Sequence, residues 1–184
     1  ERPKPVEFVD GMQNILPAGT PLLRQANSSN LVDAYKWTEL DEGTGLAMYA
    51  LYSGISDRAE PAESLRANVV YGLGLDAPTV LLSSLQLNDF RLGKPVVREE
   101  RKRGIRGAYF QVASIVLASR ETQRWQIVAD IGQTQGQVVD VMRHLAAPAD
   151  AALAVANSVD AGCDKLARII AADGSLLDQG RDLS

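Results

Sequence analysis

The clearest hydrophobic pattern in the chain lies between residues 107 and 131. The run from Ala108 to Ala118 is largely apolar on both faces, which predicts a central strand. After a turn at Ser119-Arg120-Glu121, apolar side chains alternate with polar ones from Trp125 to Ile131. This alternation predicts a half-buried strand that forms an antiparallel meander with the first. Residues 132–136, with a glycine at each end, predict a second turn.

The segment from Val138 to Leu145 supports two interpretations. Val138, Val141, Met142 and Leu145 share a helical stripe, whereas the valines and the preceding turn favour a strand. We predict a third meander strand and keep the helix as the alternative.

The C-terminal part of the chain has a long helical pattern that begins at Pro148. Proline suits the first position of a helix, and Asp173-Gly174 is a typical end. Cys163 falls on the apolar stripe and is interpreted as a small buried side chain rather than a reactive thiolate. The stripe contains Ala152, Val155, Ala156, Val159, Cys163, Leu166 and Ile170.

The N-terminal half predicts a hairpin followed by a helix. The runs Leu31 to Leu40 and Leu46 to Tyr52 flank an acidic, glycine-rich turn at 41–45, as in adjacent antiparallel strands. Residues 61–73 predict a helix, because Pro61 suits its start and Leu65, Val69 and Leu73 recur at every fourth position. Whether Thr79 to Leu87 is strand or helix is not decided by periodicity.

Together these elements predict an α+β fold, with helices packed on a mostly antiparallel sheet and a long C-terminal helix. Residues 1–21 hold four of the eight prolines and predict an extended arm, with one short strand near Val6 to Phe8. Residues 22–172 are predicted as a single α+β domain, and residues 173–184 as a polar tail.

Composition excludes several classes of function. The 184 residues suit one domain, and the net charge of −4 argues against nucleic acid or an anionic membrane as the partner. One cysteine and one histidine exclude an internal disulfide and a thiolate- or histidine-rich metal site within one chain. No cofactor and no metal are predicted. No run approaches the roughly 20 apolar residues of a membrane span.

The basic segment, residues 91–106, is the main candidate for partner binding. It holds seven basic side chains, interrupted by Glu99 and Glu100, and its only neighbouring aromatic residue is Phe90. It is interpreted either as a solvated loop or as a patch for an acidic protein partner or lipid headgroups. The predicted partner-binding residues are Arg98, Arg101, Lys102, Arg103 and Arg106.

The remaining motifs carry no catalytic prediction. The glycines of residues 72–77 resemble a dinucleotide loop but are better explained as the end of a helix. Asp140 and His144 could meet on a helix but have no evident nucleophile beside them. Glu39, Asp41 and Glu42 are interpreted as an acidic turn without the spacing of a calcium loop.

The order of elements resembles the Mog1/PsbP/DcrB-like family over residues 6–162. The similarity lies in Leu16-Pro17-Ala18-Gly19, the strand pair before Pro61, the stretch Gly104-Ile105-Arg106-Gly107-Ala108-Tyr109, and the closing helix from Pro148. It implies helices on either side of a curved antiparallel sheet and no enzyme activity. Members of that family are typically small exported proteins, lipoproteins or adaptors that bind other proteins.

On this basis we predict a non-catalytic protein-binding domain of the bacterial cell envelope, located in the periplasm, with the cytoplasm as the alternative location. The resemblance implies an accessory or immunity lipoprotein of a secretion system. The absent initiator Met is explained either by a leader that is removed during export or by a truncated sequence. A lipoprotein leader could in addition tether the chain to a membrane. A carrier of a small apolar ligand and a hydrolase with an unrecognised site are the alternatives. An apolar pocket of several hundred Å³ would favour the carrier.

Overall fold

The computed structural model describes residues 4–20, 22–52 and 65–172, and it divides into two compact units, Glu1–Ala146 and Ala147–Ser184. The described part of the first unit contains two antiparallel sheets with short helices, and that of the second contains one long helix. The predicted α+β class is confirmed. The elements are β1 (Lys4–Ile15), α1 (Leu22–Asn27), α2 (Ser29–Ala34), β2 (Lys36–Leu40), β3 (Ala47–Leu51), β4 (Arg66–Leu73), β5 (Thr79–Leu81), α3 (Leu87–Arg91), β6 (Arg101–Arg103), β7 (Gly107–Leu117), β8 (Gln126–Thr134), α4 (Gln135–Leu145) and α5 (Pro148–Ala172).

The smaller sheet has the strand order β1-β7-β5, and β7 is its central strand, as predicted. β1 pairs with β7 along almost its whole length, from Lys4 opposite Leu117 to Ile15 opposite Gly107. Much of the predicted arm is therefore a 12-residue strand. Pro5 is compatible with this, because proline is tolerated on an edge strand.

The larger sheet has the strand order β6-β2-β3-β4-β8. β2 and β3 form the predicted hairpin, and Ala47, Tyr49 and Leu51 share its buried face, as the alternation indicated. β2 is shorter than predicted, because residues 29–34 form α2. The turn is held by Asp41, whose carboxylate accepts hydrogen bonds from the backbone and the hydroxyl of Thr44 at 2.9 and 2.6 Å.

The helix predicted over residues 61–73 is wrong where the structure describes it, and Pro61 lies outside the described residues. Arg66–Leu73 is β4, which pairs with β3 and β8. Val69, Val70 and Tyr71 are consecutive and all buried, which a strand covered on both faces allows. Gly74, with φ of +92°, follows this strand and does not end a helix.

The meander predicted from residue 107 onward is also wrong. β7 and β8 belong to different sheets, and β8 pairs with β4 at the edge of the larger one. The predicted half-burial of β8 fails at its end, since Ile131 is 80% exposed. The turn predicted at 119–121 is present, and Arg120 occupies it with a positive φ of 66°. Neighbours in sequence need not be neighbours in a sheet, because a longer connection can carry the chain across a sandwich.

Residues 135–145 form the helix α4, so the strand prediction for Val138 to Leu145 is wrong and its helical alternative holds. Thr134 caps the helix by accepting from the Gln137 amide, while the Gln137 side chain accepts from the Thr134 amide at 2.9 Å. This reciprocal capping box satisfies two amides that would otherwise lack partners. The Thr134-x-x-Gln137 sequence was the local signal for a helix start.

We expect Thr134→Ala to lower the free energy of unfolding by about 1 kcal/mol, because it removes the capping hydroxyl. Thr134→Ser should retain most of the stability, and Thr122→Ala, in an exposed loop, is the matched control. Urea denaturation followed by circular dichroism measures the difference. Equal stability of Thr134→Ala and Thr122→Ala would show that the cap contributes nothing.

The main core lies between the inner faces of the two sheets. It contains Leu40, Ala47, Tyr49, Val70, Val80, Leu82 and Tyr109, with Met12, Ile15 and Ile127 packed against it. The other face of the smaller sheet forms a second cluster, in which Phe110 and Val112 meet Leu87 of α3. The outer face of the larger sheet is different, because α4 packs against β4 and β8 and leaves an open space beside β2 and β3.

The second unit contains α5, and the predicted long helix from Pro148 is confirmed. Cys163 is exposed on this helix, so its interpretation as a buried side chain is wrong. A position on an apolar stripe does not by itself determine whether the stripe is covered. The predicted end at Asp173-Gly174 and the tail lie outside the described residues. No helix in the described ranges is long and apolar enough to cross a membrane.

Candidate functional site

The outer face of the larger sheet carries an apolar groove beside α4. Its volume is about 380 Å³, toward the lower end of the roughly 300–1,000 Å³ typical of small-molecule sites. We call it the α4 groove. Its lining residues are Trp37, Glu39, Met48, Ala50, Leu65, Arg66, Ala67, Gln133, Gln135, Val138, Val139 and Met142.

Strand alternation explains the floor of the α4 groove. Trp37 pairs with Ala50 and Glu39 with Met48 across the hairpin, so these four side chains share the outer face. Ala50 is small and leaves room above the sheet. Tyr49 and its inward-facing neighbours point to the main core instead. The floor is thus independent of the side chains that stabilise the sandwich.

The helix α4 forms the opposite wall. Val138, Val139 and Met142 lie within one turn of one another, as residues three and four apart do on a helix face. Val139 remains 43% exposed although it is apolar. An apolar wall that the chain itself leaves half covered is typical of a surface that a ligand or partner completes.

A cluster of cationic and aromatic side chains borders the groove at Trp37. The centre of the Arg103 guanidinium lies 3.8 Å from the Trp37 ring centroid, and that of Arg101 lies 5.1 Å away. Tyr52 also stacks with Trp37, with its ring centroid 6.2 Å from that of Trp37. The pairing of β6 with β2 causes this, because it sets Arg103 opposite Trp37 and Arg101 opposite Glu39. The basic segment therefore does meet an aromatic side chain, one supplied by another strand.

Glu39 is the carboxylate of this site. It accepts hydrogen bonds from Arg101 at 2.6 Å and from the Trp37 indole nitrogen at 3.2 Å. The hydrogen bond from Arg101 lowers the pKa of Glu39 below its ordinary value of 4.5, against an opposing contribution from burial. The group is therefore ionised at neutral pH and poorly suited to general acid catalysis. The arrangement favours binding over proton transfer.

The five predicted partner-binding residues do not form one free cationic patch. Arg98 donates to the Glu42 carbonyl at 3.0 Å, Arg101 pairs with Glu39, and Lys102 pairs with Glu99 at 3.0 Å. Arg103 stacks on Trp37, and Arg106 is exposed in the loop before β7. Only Arg101 and Arg103 share the outer face with the groove, because Lys102 alternates to the other side.

The other candidates remain without a catalytic arrangement. His144 is exposed, and the Asp140 carboxylate accepts from Arg143 at 3.0 Å. Residues 72–77 lead into β5, so no helix N-terminus follows them to bind a phosphate. Across the described ranges, no three His, Cys, Asp or Glu side chains are grouped to hold a metal ion.

A second cavity, of about 550 Å³, lies between β1, β7 and the segment before β8. Phe8 and Trp125 stack there with ring centroids 4.7 Å apart, and the Trp125 indole donates to Asp10 at 2.7 Å. Glu121 also lines it, through a carboxylate that accepts from the Ala118 amide at 2.7 Å. The stacking of Trp125 on Phe8 and its hydrogen bond to Asp10 anchor Trp125 to β1, which gives the cavity a structural explanation.

No protein-family model matches this chain, and no curated protein matches it either. Sequence reasoning missed Trp37, Met48, Ala50 and Met142 as members of one site. The capping box at Thr134 was the local signal that could have placed the α4 wall, whereas the pairing of β6 with β2 has no local signal.

Proposed function

We propose that the first unit is a non-catalytic binding domain that holds a small apolar ligand in the α4 groove. The observation that carries this proposal is a groove of about 380 Å³ that is lined largely by apolar side chains, among them those of β3 and α4. Burial of apolar surface supplies roughly 25 cal/mol per Å², so a ligand that covers Met48, Val139 and Met142 would gain affinity without polar contacts.

The paired state of the basic segment supports this choice over the protein-binding function predicted from sequence. Arg98, Arg101 and Lys102 are already engaged by groups of the same chain. An acidic partner would have to compete with these contacts, and exposed ion pairs add little affinity. The envelope location and the secretion-system role rest on the family resemblance alone and stay predictions.

Protein binding stays a second candidate because of β1. This 12-residue strand is at the edge of the smaller sheet, where its outer backbone groups can pair with an added strand. Its two carboxylates, Glu7 and Asp10, would favour a basic segment over an acidic one.

The proposal predicts that Ala50→Phe strongly weakens ligand binding, because the added ring fills the groove beside Trp37. With decan-1-ol as the probe, we expect calorimetry to show an affinity at least tenfold lower for the variant than for the wild type. Ser114→Phe places the same ring on an exposed position of β7 and should bind as the wild type does. Circular dichroism confirms that both variants are folded.

Two results would contradict this function. One is an absence of decan-1-ol binding to the wild-type chain. The other is equal binding by Ala50→Phe, which would place the ligand elsewhere.

A further inference from the structure

Arg103 is not itself a lining residue of the α4 groove, but it stacks on Trp37, which is one, and brings a cation to that end of the groove. In the part of the chain that the structure describes, no carboxylate lies within ion-pair distance of its guanidinium. The nearest carboxylate by register, Glu39, is already bound by Arg101 at 2.6 Å. Arg103 thus leaves a net positive charge at the Trp37 end of the groove.

The stacking geometry leaves the donors of Arg103 available. The centre of its guanidinium lies over the Trp37 ring, 3.8 Å from the centroid, and this cation–π contact with the ring face occupies no hydrogen-bond acceptor. The N–H donors of a guanidinium point outward in its plane and match the two oxygens of a carboxylate. Trp37 therefore orients Arg103 without consuming its hydrogen-bonding capacity.

We propose that the ligand of the α4 groove is an apolar chain that ends in an anionic group, such as an aliphatic carboxylate. The anionic group binds Arg103, and the chain lies among Met48, Val139 and Met142. This inference rests on the proposed function, since it specifies the ligand of the same groove. The proposed function requires only that the ligand be apolar. This inference adds that the end of the ligand bound at Arg103 is negatively charged.

The occupant is a single detached molecule rather than a membrane surface. The groove is a bounded space of about 380 Å³, which suits one chain. The protein carries a net charge of −4, which disfavours adsorption to an anionic bilayer, because such adsorption depends on clusters of basic residues.

The test compares decanoate with decan-1-ol, which share a chain and differ in charge, by calorimetry at neutral pH. We expect the wild type to bind decanoate more tightly, by roughly fivefold, as one charge-assisted contact at a partly exposed site provides. Arg103→Gln should remove this advantage, so that decanoate and decan-1-ol bind the variant with similar affinities, whereas Arg103→Lys should retain much of it. Arg91→Gln, an exposed arginine on α3, is the matched control.

The outcomes separate the two proposals. If the wild type binds neither probe, both the proposed function and this inference fail. If it binds both probes equally, or if Arg103→Gln weakens both to the same degree, the groove binds apolar ligands but the anionic specificity is refuted. Sedimentation with phosphatidylglycerol vesicles, combined with no binding of decanoate, would refute the detached ligand in favour of a membrane surface.

Discussion

Replacing Glu99 by alanine is expected to lower the free energy of unfolding by about 4 kcal/mol, because the substitution leaves several buried donors without an acceptor. Glu99 is only 4% exposed, and its carboxylate accepts from four donors at 2.8–3.0 Å. The donors are the Leu82 amide, the Ser83 hydroxyl, the Gln86 side-chain amide and the Lys102 ammonium group. Two of these residues, Leu82 and Ser83, are fully buried.

Glu100→Ala is the matched control, because this neighbouring carboxylate is exposed and its removal should change stability by less than about 0.5 kcal/mol. Glu99→Gln should fall between the two, since it keeps the shape but removes the charge. Urea denaturation of the three variants measures the series. Similar losses for Glu99→Ala and Glu100→Ala would contradict the role assigned to the buried carboxylate.

Glu99 also connects stability to the candidate site. The backbone amide of Glu99 donates to Val80 at 2.9 Å, and the carbonyl of Glu100 accepts from Leu40 at 2.8 Å. These contacts hold the chain between the two sheets just before β6 begins. Since β6 carries Arg101 and Arg103 to the Trp37 end of the groove, we expect Glu99 to act as a positioning residue for the site.

Raising the pH above 10 is expected to destabilise the protein through its buried tyrosines. Burial raises the pKa of Tyr49 well above its ordinary value of 10.0, with a further contribution from neighbouring Tyr109, and burial likewise raises the pKa of Tyr109. The folded state therefore favours the protonated phenols, whereas the unfolded chain ionises near pH 10. The contribution of these two phenols to the free energy of unfolding is fully present below pH 10. Above pH 10 it falls by about 1.4 kcal/mol per pH unit for each tyrosine, until the pH reaches the pKa of that tyrosine in the folded state.

The phenols also have specific partners that ionisation would remove. The Tyr49 hydroxyl donates to the Ala108 carbonyl at 2.7 Å, and the Tyr109 hydroxyl donates to the Gly45 carbonyl at 3.1 Å. Tyr49→Phe should lose the first bond, at a cost of about 1 kcal/mol at neutral pH, but should also flatten the alkaline decline. Tyr52→Phe, with a ring that is 76% exposed, is the matched control.

Urea midpoints measured from pH 8 to pH 11.5 test this expectation. A decline whose slope is the same in Tyr49→Phe as in the wild type would show that another group controls alkaline unfolding.

The strands and helices that the sequence predicted correctly are those with a complete local signal. β7 is apolar on both faces, β2 and β3 flank a glycine-rich turn, and α5 begins at a proline and repeats its apolar positions with the helical period. Each of these features lies within one contiguous segment. The backbone conformation there follows from neighbours in sequence, so it could be predicted without the fold.

The errors occurred where a local pattern fits two structures. Val69 and Leu73 are four apart, as on a helix, yet they lie on a strand that is covered on both faces. Val138 to Leu145 was predicted as a strand because of its valines, although the capping box at Thr134 starts a helix. Intrinsic preferences are small enough for tertiary packing to override them.

The sequence by itself determined the α+β class, the central strand, the hairpin and the long C-terminal helix. Only the tertiary structure decided that the strands divide into two sheets, that Glu99 is buried while Glu100 is exposed, and that Arg103 stacks on Trp37. The physical reason is that hydrophobic period reports which face of an element is apolar, whereas burial and charge pairing depend on which distant element covers that face. The α4 groove belongs to the second kind of information, because its floor, wall and cation come from separate segments of the chain.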